Sequence, residues 1–278
     1  MTASNIACSR GEVVWWTTSS VGIAVQGWPA RSGATDRPHR AGRRYAAAGS
    51  VGTTLLEVVT MDGRRTGTGV TAAALVGAAA VGQWLGRTAG SSRAERRRRL
   101  PGDELVERPT VVTNHAVTIP APPARVWPWL VQMGWGRAGW YTYRWVDRLL
   151  FPANGPSANH ILPEHQQVQV GDHIPDGPPA ADCWFTVERL ESNRLLVLRS
   201  TRHFPASWRQ RGLAMEWIWS WQLSEPAPGR TRLVQRNRLR LDPMWFEWAF
   251  LATIVPADFV MARSHLRGLR RRAEASVA

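Results

Sequence analysis

Residues 109–275 read as an α+β domain, a sheet with its helices gathered in one layer. Three patterns lead to this reading. A strand over Val111–Ile119 runs into Pro120, Pro122 and Pro123 and then into an apolar helix. Several strand-length segments follow in succession, and the domain closes with one long, strongly apolar helix. Strand, helices, strands and final helix, in that order, make a two-layer sheet-and-helix arrangement.

Taken in order, the first strand places Val111, Thr113, His115, Val117 and Ile119 on one face, which is part apolar and part polar. Proline cannot donate a ladder hydrogen bond, so the strand ends at Pro120. Pro123 suits a first helical turn. Val126, Trp127, Leu130 and Met133 then recur at helical spacing until Gly134 and Gly136 stop the helix. Residues 140–150 predict a second short helix, and residues 168–174 a short strand broken by Gly171-Asp172. Residues 183–190 and 194–201 predict a hairpin around Glu191-Ser192-Asn193.

Residues 213–225 form the clearest strand. Met215, Trp217, Trp219, Trp221 and Leu223 share one face, while Glu216, Ser220 and Gln222 lie on the other, so the Trp face is expected inward. Residues 231–241 place Arg232, Arg236, Arg238 and Arg240 on one face and Gln235, Asn237 and Leu239 on the other. Asp242-Pro243 starts the last helix. Up to Val255 that helix is apolar nearly all round, the pattern of a buried or lipid-facing helix. Trp245 and Trp248 are expected to close over the Trp stripe.

Residues 121–134, the Val170-Gly171-Asp172 turn, the Trp-rich strand with Thr231-Arg232-Leu233, and the helix segment Asp258-Phe259-Val260-Met261-Ala262-Arg263 resemble the START/Bet v 1-like (SRPBCC) helix-grip superfamily, in its polyketide cyclase/dehydrase-like branch. The resemblance runs from about residue 111 to the end. It implies a bent antiparallel sheet wrapped around a long C-terminal helix, with a cavity between them. It also implies a small hydrophobic partner, lipid- or polyketide-like, or alternatively a cyclase- or dehydratase-like reaction in the same cavity. Fold alone does not choose between these.

The expected pocket wall is aromatic with a few polar groups, as small-molecule sites usually are. It comprises Trp140, Tyr141, Tyr143, Trp217, Trp219, Trp221, Gln235, Asn237, Trp245 and Trp248, with Glu216 as a further polar candidate. No cofactor is expected. His160, Glu164, His165, Asp172 and His173 could ligate metal, but their spacing around Pro163 fits a surface loop better, and no metal site is predicted. Cys183 has no neighbouring base in the sequence and reads as a buried small residue. No phosphate-cradling or dinucleotide glycine motif is present.

The N-terminal part carries different signals. Residues 1–60 lack a sustained apolar period and read as a disordered tail or a mis-assigned start before Met61. Residues 61–108 read as a hydrophobic helix, about 70–86, followed by an Arg-rich linker. Inserted in a membrane, that helix would place the domain on the cytoplasmic side of the cell membrane, because more Arg follows it than precedes it. The run is shorter than a usual span and rich in Ala and Gly, so a peripheral or merely flexible segment is the alternative. Ala78, Gly82 and Gly86 form a small-residue series suited to helix pairing. The net charge is +14, supplied wholly by Arg. With no nucleic-acid motif beside it, this charge indicates no specific nucleic-acid partner. Oligomeric state is not legible.

Overall fold

A computed structural model of the chain describes residues 62–150, 152–204 and 206–275; the expectations for residues 1–60 lie outside these. The helices are α1 (Asp62–Thr88), α2 (Arg93–Arg97), α3 (Pro123–Val131), α4 (Arg144–Leu150), α5 (Ala206–Arg209) and α6 (Met244–Ala275). The strands are β1 (Val111–Ile119), β2 (His173–Pro175), β3 (Trp184–Glu191), β4 (Leu195–Ser200), β5 (Ala214–Ala227) and β6 (Arg230–Asp242). Two compact units divide the chain within α1, between Ala79 and Ala80. Sheet and remaining helices belong to the unit that contains residues 80–275.

The six strands form one sheet in the order β1-β6-β5-β4-β3-β2, every neighbour antiparallel. α6 packs against β1, β6 and α3. This is the α+β helix-grip arrangement expected from the sequence. The expected strand over residues 168–174 shrinks to His173–Pro175. The helix expected from residue 140 starts only at Arg144, because Tyr141 is left-handed (φ 58°) and buried at a corner.

α1 is 27 residues long, yet among the described residues no helix is long and apolar enough to cross a membrane. The expected span over residues 70–86 has no support in this helix. Gly82 and Gly86 of the small-residue series lie against α6. A Cβ on Gly82 would lie 3.7 Å from Pro256 Cβ, and one on Gly86 would lie 2.1 Å from the Val255 carbonyl oxygen. Gln83 donates to the carbonyl of Leu251 beside them.

Residues 90–108, expected as part of an Arg-rich linker, cover the outer face of the sheet. Leu100 packs with Ala116 and Val234, and Val106 with Leu195, Val197 and Ile218. Ser92 and Glu95 form a capping box on α2. Glu95 takes a bidentate contact from Arg232, at 2.7 and 2.9 Å, which holds its carboxyl down at about 2. Arg236, 3% exposed, meets Asp103 at 2.6 Å, Asn114 at 2.6 Å and the carbonyls of Arg98 and Glu95 at 3.0 and 2.8 Å. A buried guanidinium is tolerable only when its donors are answered in this way. The Arg face of β6 thus looks into this layer, and the folded part begins well before residue 109.

Candidate functional site

Register builds the inner wall. Across β1, β6 and β5, Thr113 is level with Asn237 and Trp219, and His115 with Gln235 and Trp221. All have the parity that points toward α6. Trp217 and Trp219 lie 5.7 Å apart, Trp219 and Trp221 4.3 Å, and Trp140 reaches in from the corner to 5.4 Å from Trp219. From α6, Phe250, Ile254, Asp258, Met261 and His265 face this wall at helical spacing.

A polar line crosses the aromatic wall. Trp217 Nε1 donates to Asn237 Oδ1 (3.0 Å), and Asn237 Nδ2 donates to Thr113 Oγ1 (3.0 Å). Thr113 Oγ1 donates to Asp258 Oδ2 (3.4 Å). His115 Nε2 stands 3.7 Å from the same carboxylate oxygen. His265 Nδ1 lies 2.7 Å from the carbonyl oxygen of Trp140, which only accepts, so Nδ1 must carry a proton. Burial pushes the His265 pKa down to about 4. At neutral pH the ring is uncharged, and Nε2 presents a lone pair.

Four atoms of this lining have no hydrogen-bond partner among the described residues: the indole N–H groups of Trp140 and Trp219, Gln235 Oε1 and His265 Nε2. Two are donors and two are acceptors. The residues are buried, and each such atom costs about 1–3 kcal/mol if left unanswered.

The enclosed space is small. One cavity of about 20 Å³ is lined by Trp140, Thr142, Trp219, Gln235 and His265 among others. A second of about 10 Å³ lies beside Val111, Phe250 and Ile254. Trp217, Asn237 and Asp258 border both. The larger has room for about one water, so anything bigger must displace α6 or turn an indole. Wider openings exist elsewhere in the unit, of about 350 Å³ beside Arg199 and about 550 Å³ beside Arg194. They are open grooves whose charged residues are largely ion-paired, Arg199 with Glu216 and Glu188 and Arg194 with Glu191.

Of the residues expected in the pocket wall, Trp140, Trp217, Trp219, Gln235 and Asn237 line the larger cavity, and Trp221 is buried beside Trp219. Tyr141 is buried in the corner, donating its hydroxyl to the carbonyl of Trp129 at 2.8 Å. Tyr143 sits outside, where Arg267 donates to its hydroxyl. Glu216 lies on the outer face against Arg199. Trp245 and Trp248 require correction: they are 66% and 69% exposed. At about 100° per residue they fall on the side of α6 opposite the Phe250–Ile254–Asp258 stripe. The helix start is apolar all round, so the sequence supplied no phase there.

Thr113, His115, Thr142, Asp258 and His265 were missed as site residues. A signal existed for the first two, the mixed face of β1. Asp258 and His265 are polar interruptions on the apolar stripe of α6, which is the corresponding signal for a helix. The loop residues His160, Glu164, His165, Asp172 and His173 do not form a three-ligand group among the described residues.

No protein-family model and no curated protein sequence matches the chain. Solved structures resemble it at low identity. A hypothetical protein from Helicobacter pylori is 12% identical with a TM-score of 0.39, over 62% of this chain and 94% of that one. A Mesorhizobium loti protein is 13% identical with a TM-score of 0.36, over 60% and 100%. An aromatase/cyclase from Streptomyces sp. R1128 is 15% identical with a TM-score of 0.34, over 60% and 96%. Likeness at this level assigns no activity.

Proposed function

We propose that the domain binds a small, flat, mostly apolar molecule carrying at least one hydroxyl or carbonyl group, held between the Trp217–Trp219–Trp221 wall and α6. The four unpartnered atoms at the Trp-lined cavity carry this reading. A ligand hydroxyl would accept from an indole N–H and donate to His265 Nε2 or Gln235 Oε1, answering groups the protein leaves open. The surrounding indoles supply the flat apolar contact. A molecule of this size enters only with outward movement of α6 or rotation of a Trp.

The test is titration with 2-naphthol, followed by Trp fluorescence and by calorimetry. Binding to the wild type is expected. Trp219→Phe keeps the apolar wall and removes one donor, so it should weaken binding by roughly 2- to 10-fold, the range of one net hydrogen bond. Failure of 2-naphthol and of larger hydroxylated aromatics to bind the folded protein would refute the reading.

A second reading, acid–base catalysis in the same cavity, is favoured by the Asp258 carboxylate beside His115 and Thr113. Asp258→Asn separates the two. A binding protein keeps its ligand with no loss beyond that of altered binding, while an enzyme loses turnover and retains binding. Attachment to a membrane surface, as opposed to spanning it, draws support from exposed Trp84, Trp245 and Trp248. Flotation with anionic vesicles tests it, and failure to float removes it.

A further inference from the structure

A second group of reactive side chains adjoins the Trp wall, the His203 ring lying 4.8 Å from that of Trp217, and the proposed ligand site does not use it. Asp176 follows β2, Cys183 precedes β3 and His203 follows β4. Each offers one ligand atom, and the three atoms lie within 4.8 Å of one another. The residues are 2%, 6% and 2% exposed. We propose that Asp176, Cys183 and His203 form a binding site for a zinc-like divalent cation.

Geometry and charge carry the proposal. Thiolate, imidazole and carboxylate are the donor types that zinc takes, and three protein ligands leave a fourth position for water or another molecule. Three separate segments supply the ligands, and two are fastened to each other, because the Asp176 N–H donates to the Cys183 carbonyl at 3.1 Å. The imidazole is also oriented from behind. Ser200 Oγ lies 2.6 Å from His203 Nδ1 and itself accepts from the Arg202 N–H at 3.1 Å. A polar group fixing the far nitrogen of a ligating histidine is the usual supporting arrangement at metal sites. His203 Nε2 is then aimed at Asp176 Oδ2, 2.9 Å away. A cation between them needs that gap to open by only a few tenths of an ångström.

One carboxylate, one thiolate and one neutral imidazole would balance a divalent cation and leave no net charge in a buried place. Arg202 and Arg209 do not compete, since both pair with Asp182. Thiolate, not thiol, is the ligand, so binding displaces the thiol proton to solvent.

The experiment uses the full chain, stripped with chelator and titrated with Co²⁺. The expected results are a thiolate-to-cobalt charge-transfer band, proton release on binding from buffer-dependent calorimetry, and a melting temperature that rises with Zn²⁺ concentration. Cys183→Ser should lose the band. His203→Asn should weaken binding at least 10-fold, within the range lost with a metal-site group. Should either variant fail to fold, the wild-type titration decides alone. A folded wild type with no band and no cation-dependent melting shift overturns the site. So does cation binding without a thiolate band, which would place the metal elsewhere, as among the histidines of residues 160–173.

Discussion

His265 Nδ1 donates to the carbonyl oxygen of Trp140 across 2.7 Å, tying the last helix to the corner that precedes α4. Nδ1 carries its proton in the neutral and the charged ring alike, so the bond survives protonation, and it is burial that lowers the folded pKa from 6.5 to about 4. Above pH 6.5 the ring is neutral both folded and unfolded, so it adds no pH dependence. Between pH 6.5 and about 4 the unfolded chain takes up a proton that the folded one refuses, and stability falls. Below about 4 the loss levels off, at roughly 3 kcal/mol in total. Urea midpoints taken across this window should decline in the wild type and decline less in His265→Asn. An NMR titration placing the His265 pKa near 6.5 in the folded protein would remove the basis of this prediction.

The same corner leaves no room at Gly268. A Cβ there would stand 1.9 Å from the carbonyl oxygen of Tyr141. Alanine is worth about 1 kcal/mol more than glycine in a helix interior, but forcing backbone apart at a packed contact costs about 1–3 kcal/mol or more. Gly268→Ala should therefore destabilise the domain. A raised melting temperature for this variant would mean that α6 does not approach the corner so closely.

Trp219 and Trp248 make a matched pair of substitutions. Trp219 is 6% exposed among Trp140, Trp221 and Phe185, whereas Trp248 is 69% exposed. Trp219→Ala should cost about 3–5 kcal/mol, and Trp248→Ala about 0.5 kcal/mol or less. Equal costs by chemical denaturation would show that α6 is rotated from the orientation described.

Strand alternation made the sheet legible. The parity of Met215–Leu223 fixes which side the three Trp face, and the parity of β6 fixes Gln235 and Asn237 beside them. The helix side was less legible for a physical reason. A stripe can be phased only when polar residues mark its edges, and from Trp245 to Val255 only Glu247 and Thr253 do so. The Asp176–Cys183–His203 group was invisible because its three residues come from separate segments that only the β2–β3–β4 pairing brings together. Residues 90–108 read as an Arg-rich linker because a run of Arg is usually solvated.

That run is where chain truncation tests the fold most directly. A chain beginning at Pro109 would lose Leu100 and Val106 from the outer face, uncovering Val234, Leu195, Val197 and Ile218. It would also strip Arg236 of Asp103 and of the carbonyls of Glu95 and Arg98, opening its guanidinium to water. Uncovering apolar side chains at about 1.5–3 kcal/mol each removes a large part of a typical domain stability of about 5–15 kcal/mol. The chain from Pro109 should therefore aggregate or unfold, while one beginning at Ala80 should be folded and cooperative by circular dichroism and thermal melting. Asp103→Ala in the full chain isolates the ion pair and should lower stability by about 3–5 kcal/mol. If the chain from Pro109 melts at the same temperature as the one from Ala80, residues 90–108 are a tether after all, and the outer layer contributes nothing to the fold.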